Sequence, residues 1–216
     1  MFQAALSNEN TGFYFEMGKL QKQHTQFLSD YFDNIPTNPY KDGESRLRRF
    51  SHFSFIDNVL VRLSGKSFLQ SSKFNSFQGD IERRYEEIED DVVESAAFLE
   101  MFQQFKEKAN VPDDADIDVH QFRVIAPPNG RSSLAPEGVH QDGFEHIAMC
   151  VIQRKNIKVG GEICVHSSKD SSPVIKYPFD NGEIIVLNDQ CFWHSATDFV
   201  AESDNHGMID LFVLTA

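Results

Sequence analysis

From Ile117 to Thr215 the chain is cut into short β-rich runs, IDVHQFRVIA, HIAMCVIQR, GEICVHS, GEIIVLN and GMIDLFVLT. Each is bounded by Gly, Pro, Asn or Asp clusters, at the spacing of a sandwich or barrel. The first half reads differently. From Met17 to Phe32, apolar side chains at Leu20, Phe27, Leu28, Tyr31 and Phe32 predict one buried helical stripe. IPTNPYKDGE breaks that helix, and RLRRFSHFSF and NVLVRLS read as short strands. A second helix is expected over Asp91 to Ala109, where Val92, Ala96, Leu99, Phe102 and Phe105 recur every three or four positions. No internal repeat or low-complexity linker divides the sequence. The expectation is one domain, 1–216, in which 1–115 braces a barrel built by 116–216.

With 40% apolar residues and 20 phenylalanines, the chain folds rather than staying disordered. Its formal net charge of −13 and pI near 4.9 repel phosphate backbones and anionic lipid. No apolar run reaches the ~18 residues of a membrane span. The opening MFQAALSNEN has no basic residue before its apolar patch, so it does not read as a secretion signal. Three cysteines (Cys150, Cys164, Cys191) without C-x-x-C spacing argue against a disulfide framework or zinc knuckle. The expected partners are therefore a small-molecule substrate, no nucleic acid and no membrane, in a reducing cytoplasm, with a homodimer left open.

The chemistry concentrates in EGVHQDGFEH and NDQCFWHSATDF. His140 and Asp142 are two positions apart, so an extended backbone points them the same way. His194 follows 54 positions later, just after GEIIVLN. Two imidazoles and one carboxylate form the facial set that holds Fe(II) with open coordination positions, and a reducing compartment suits that oxidation state. Taken singly, His140 and Asp142 fit a turn in which the carboxylate accepts an imidazole N–H, and His194 fits a core histidine. Taken together, with glycine flanks and strand context, they favour a metal. Zinc accepts the same ligands, but no H-E-x-x-H or nucleophile elbow accompanies them.

VHQFRV, EGVHQDGFEHIAMCVIQRKNIKVGGE and GEIIVLNDQCFWHSATDF resemble the bacterial 2-oxoglutarate- and iron-dependent dioxygenases that include isoleucine dioxygenase. RLRRFSHFSF and GDIERRYEEIED fit that family's first half, so the likeness spans most of the chain. The resemblance implies a mainly β fold with flanking helices, the double-stranded β-helix (jelly roll, cupin-like). It also implies Fe(II) and 2-oxoglutarate as cofactors, His140, Asp142 and His194 as iron ligands, and oxidation, as by a hydroxylase, of a small substrate such as a free amino acid.

One position departs from the family. Members carry an arginine on the last barrel strand, just before an aspartate, for the distal carboxylate of 2-oxoglutarate. Here HGMIDLFVLTA places Ile209 there and keeps Asp210. First and last strands are neighbours in a jelly roll, so Arg123 is the candidate replacement grip; pairing with an acid at the barrel edge is the alternative. An iron oxygenase that does without 2-oxoglutarate, or a non-catalytic metal-binding jelly roll, also stays open.

Arg46 and Arg48 share one face of an extended segment, with Arg49 on the other, and Arg46 is a candidate for a substrate carboxylate. Surface pairing with acids is the alternative for the cluster. Arg154 is a second substrate-binding candidate, though with Asn156 it also suits a turn. Trp193, beside His194, is either core or substrate pocket wall. His120, His146 and His166 are expected to be structural; His146 would lie about 13 Å along a strand from Asp142. Gly160 and Gly161 suggest a hairpin turn.

Overall fold

The computed structural model describes residues 15–41 and 43–216, so MFQAALSNEN lies outside the described residues. The first half contributes β1 (Phe15–Lys19), α1 (Lys22–Asp30), β2 (Arg46–Ile56), β3 (Val59–Arg62), α2 (Asp90–Val93) and α3 (Ala96–Ala109). Next come β4 (Ile117–Ala126), β5 (Arg131–Ser132), β6 (His146–Lys155), β7 (Ile157–Gly160) and β8 (Ile163–His166). The chain continues with β9 (Pro173–Tyr177), β10 (Glu183–Asn188), β11 (Trp193–Ala196), β12 (Phe199–Ala201) and β13 (Gly207–Thr215).

Seven strands in the order β1-β10-β6-β13-β4-β2-β3 form a large antiparallel sheet. Two small sheets, β11-β8-β9 and β5-β12-β7, contribute a second layer. This is the expected jelly roll, mainly β with flanking helices.

Because successive strand residues alternate faces, a sheet covered on both sides places apolar residues on both faces. On β6, Ala148, Cys150 and Ile152 join Phe98, Met101 and Phe102 of α3 in one core. Ile147, Met149 and Val151 face the other way and meet Ile163, Val165 and Phe199 of the small sheets. β4 divides likewise: Ile117 and Val119 face the helices, Phe122, Val124 and Ala126 the barrel interior. On β13, Phe212 and Leu214 pack toward the helices, while Ile209 and Leu211 point inward. That alternation decides where every polar residue on these strands can reach.

The expected first helix is shorter than its pattern suggested. Phe15–Lys19 pairs with β10 as an edge strand, and the helix begins only at Lys22. The second is two helices. The Ser95 hydroxyl caps α3 by accepting the Phe98 N–H at 3.1 Å, and Asn110 closes it in a left-handed conformation. Gly160 and Gly161, at φ of 90° and 71°, do not close a hairpin. They carry the chain from β7, paired with β12, to β8, paired with β11 and β9. No described helix is long and apolar enough to cross a membrane.

Candidate metal centre

His140, Asp142 and His194 come together as the sequence spacing predicts. One ligand atom from each lies within 4.8 Å of the others. His194 is the second residue of β11, and an isolated antiparallel bridge, with His140 N–H to His194 O at 2.9 Å and His194 N–H to His140 O at 2.8 Å, ties it to the loop before β6. The backbone itself thus fixes the separation of the two imidazoles. His140 Nε2 is 3.7 Å from Asp142 Oδ1, and His194 Nε2 is 3.4 Å from Asp142 Oδ2.

The surroundings turn the right atoms inward. His140 Nδ1 donates to Gly138 O at 2.9 Å, which leaves its Nε2 lone pair for a metal. His194 Nδ1 lies 3.3 Å from Oδ1 of Asp189, a carboxylate with no exposed side-chain surface. The other Asp189 oxygen accepts the backbone N–H groups of Asp142 and Gly143, at 2.8 and 2.9 Å. One buried acid thus orients a histidine ligand and the loop of the carboxylate ligand. Gln70 Nε2 donates to Asp142 Oδ1 at 3.0 Å and is itself held by Asn75 at 2.9 Å.

Burial alone would push the Asp142 carboxyl up, but the His194 hydrogen bond, both imidazoles and Gln70 hold it well below the usual carboxylate range. Burial would lower His194, yet Asp142 and Asp189 raise it to about 10. His140 is lowered by burial and by His194. The pattern is a carboxylate clamped between two imidazoles, a charge arrangement that a divalent cation can replace. Two imidazole nitrogens and one carboxylate oxygen, oriented by a hydrogen-bonded outer layer, fit Fe(II).

The cavity against the triad is lined by Phe68, Phe122, Phe144, Met149 and Leu211 on its apolar side. On its polar side it carries Arg46, Arg48, Arg83, Gln70 and His120. The site residues expected from sequence distribute unevenly. Arg46 is in the wall, where its Nη2 donates to Leu134 O at 2.6 Å and its guanidinium lies over the Phe122 ring. Arg123 is not. It shares the helix-facing side of β4 with Val119, donates to both oxygens of buried Asp210 at 2.7 and 2.9 Å, and reaches Asp33 at 2.7 Å. The grip on 2-oxoglutarate expected of Arg123 is therefore corrected: an outward-facing, fully engaged guanidinium does not enter the barrel.

Arg154 sits opposite Ile209 across a bulge, donating to Gly161 O and Gly160 O at 2.6 and 2.7 Å. It holds the turn rather than the cavity wall. Trp193 also lies outside the lining, on the opposite face of β11 from His194, with Lys169 over its ring. His120 is no inert core residue, since its ring lines the cavity; His166 bonds Ser171 O and Ser195 and is structural as expected. Arg49 pairs with Glu86 and Glu89.

Sequence reasoning missed Gln70, Asn75, Arg83 and Asp189. The first three come from the irregular segment 63–89, where no periodicity marks a face. Asp189 did carry a signal, an acid directly after the apolar run IIVL and Asn188, five positions before His194.

A model of the 2OG-Fe dioxygenase family matches residues 29–215. No curated protein matches the chain. Among solved structures, a bsmA homolog from Methylobium petroleophilum PM1 superposes with a TM-score of 0.76 at 21% identity, over 89% of this chain and 80% of that one. The protein IDO from Bacillus thuringiensis gives 0.74 at 17% identity, over 93% and 88%. The Fe(II)/α-ketoglutarate-dependent dioxygenase TqaL gives 0.64 at 14% identity, over 91% and 74%. At these identities the likeness shows a shared fold.

Proposed function

Given that the chain belongs to the 2OG-Fe dioxygenase family, we propose that it hydroxylates a carbon of a small, free amino acid. The enzyme class itself, an iron- and 2-oxoglutarate-dependent dioxygenase, follows from that membership. The alternatives without 2-oxoglutarate or without turnover fall away with it. The residues present fit the cofactors: the triad offers an iron site, and the cavity beside it carries buried cationic donors for a dicarboxylate. Bound there, iron and 2-oxoglutarate supply the oxidising power, with oxygen consumed and the keto acid converted to succinate and carbon dioxide.

The chain's own residues provide placement. His140, Asp142 and His194 would hold the metal by one face. Gly138 and Asp189 keep the histidine rings turned toward it. Phe68, Phe144, Met149 and Leu211 exclude water from the reacting space and offer an aliphatic side chain an apolar surface. Arg46 in the same wall is a candidate partner for the substrate's carboxylate.

The observation that carries the amino-acid reading is this pairing of an apolar wall with arginines in one cavity beside the triad. Incubation of the iron-loaded enzyme with 2-oxoglutarate, oxygen and each free L-amino acid tests it. Succinate formation stimulated by an aliphatic amino acid, with a product heavier by one oxygen, is the expected result. Stimulation only by compounds that lack the amino acid group would discard the amino-acid reading and leave the enzyme class intact.

A further inference from the structure

The cavity holds more positive charge than its own acids answer. Arg48 and Arg83 are 8% and 2% exposed, and both line it. Nε of Arg48, and Nε and Nη2 of Arg83, are buried without a hydrogen-bond partner. His120, 7% exposed, likewise has an unpartnered Nδ1. Elsewhere the chain engages its guanidiniums more fully, buried Arg123 with Asp210 and half-buried Arg154 with two carbonyls; Arg49 and Arg62, whose Nε is also unpartnered, still pair through their Nη groups with acids. Idle cationic donors at this depth are destabilising unless an anion meets them. Of the two acids that line the cavity, Asp142 belongs to the triad and Glu137 lies beside Asn75.

The two arginines are held as a pair of walls. Arg48 lies inward on β2, level with Phe122 of β4 and Leu211 of β13, with its guanidinium 5.4 Å from the Phe122 ring and 5.3 Å from the Tyr85 ring. Arg83 reaches in from the segment 63–89, 4.7 Å from the Phe68 ring. The ring of Phe68 in turn packs edge-on against His120, at 4.4 Å between centroids. Burial first, then the Arg48 and Arg83 charges, push His120 well below its ordinary value, while Asp142 pulls the other way. Arg48, Arg83, His120 and the triad carboxylate of Asp142 line the same cavity, so the guanidiniums and the metal site share one chamber.

2-Oxoglutarate carries two carboxylates. The keto-acid end would go to the metal held by His140, Asp142 and His194, and the other carboxylate would have to lose its water inside the barrel. Ile209, fully buried and apolar on the interior face of β13, offers it nothing, and Arg123 faces away. We infer that Arg48 and Arg83 together form the subsite for the distal carboxylate of 2-oxoglutarate, supplied from β2 and the segment 63–89 instead of from the last strand. The inference rests on the chain's use of 2-oxoglutarate and is independent of which substrate is oxidised. Planar donor forks steadied by aromatic rings suit a carboxylate, and the stacking holds them in place before the ligand arrives.

Anaerobic titration of the iron-loaded protein tests this, read by calorimetry and by the visible charge-transfer band of the chelated keto acid. 2-Oxoglutarate is compared with 2-oxobutyrate, which has the same metal-binding end and no distal carboxylate. Arg48→Met and Arg83→Met should each weaken 2-oxoglutarate by about 30-fold or more while 2-oxobutyrate stays within about twofold. Arg48→Lys, which keeps the charge but not the fork, should recover part of the loss. Unchanged 2-oxoglutarate affinity in both Met variants would overturn the inference. Equal loss of both keto acids would also overturn it, since the arginines would then only support the cavity. A wild-type protein with no band at all would remove the 2-oxoglutarate reading along with the inference.

Discussion

At Arg123 the pleat decides what a side chain can do. Its neighbours two positions either way, Gln121 and Ile125, share its face, whereas Phe122 and Val124 point into the barrel. Sequence reasoning put this arginine on the right strand, next to the right partner, but not on the right face, because parity on β4 is set by contact with helices more than a dozen residues away. Arg123→Ala should leave 2-oxoglutarate affinity unchanged. It should cost about 3–5 kcal/mol of stability, because Asp210 would remain wholly buried without its partner. Urea unfolding and keto-acid titration on the same variant check both halves. The triad behaves oppositely. Replacing His140, Asp142 or His194 with Ala should abolish Fe(II) binding with the far-ultraviolet dichroism intact, since none of them packs in either apolar core. Asp189→Asn should weaken Fe(II) by roughly 10–100-fold, because it loosens the ring of His194 and the loop of Asp142 without removing a ligand. Iron affinity equal to wild type would leave Asp189 as a loop anchor only. The triad was legible because H-x-D spacing survives any packing; Arg83 and Gln70 were not, because only the folded path of segment 63–89 brings them to the metal.

The elements show the same division between local and distant causes. The long strands β4, β6, β10 and β13 were readable because each is rich in apolar and β-branched residues and closed by turn residues, while β2 was marked by the alternating aromatics of its second half. β1 was not, since FEMGK carries no alternation and becomes a strand only by pairing with β10. The short β5, β7, β11 and β12 were equally hidden, and β11 matters most because it positions His194. The helices were placed by periodicity, which does not see caps. Ser95 interrupts what reads as one helix because its hydroxyl satisfies an N–H of the first turn of α3 and also donates to Val92 O at 2.6 Å. Ser95→Ala should therefore destabilise the fold by about 1 kcal/mol, measured as a lower urea midpoint with an unchanged slope. The triad lies on the other side of the large sheet, so iron affinity should not move with it.

Across the whole molecule, the apo cavity stores unfavourable electrostatics that its ligands relieve. Idle donors on Arg48 and Arg83 sit within an otherwise strongly acidic protein of net charge −13, and the triad clamps a carboxylate between two imidazoles. Fe(II) and 2-oxoglutarate bind only the assembled site, because its parts come from β2, the segment 63–89, the loop before β6, and β11. Arg48 and Arg83 precede His140 by more than fifty residues, and His194 follows it by 54, so the site exists only in the folded chain and binding energy becomes folding energy. At concentrations about a hundredfold above its dissociation constant each ligand contributes about 2.7 kcal/mol, which for a chain of this size corresponds to a Tm increase of roughly 5–10 °C per ligand. Anaerobic thermal unfolding should show one such rise with Fe(II) alone and a second on adding 2-oxoglutarate. His194→Ala should show neither increment. Arg48→Met should keep the first increment and lose most of the second, while 2-oxobutyrate should stabilise Arg48→Met and wild type alike. A second increment that survives intact in Arg48→Met would mean that the stored charge on β2 is relieved by some other group, and that the distal carboxylate is held elsewhere in the barrel.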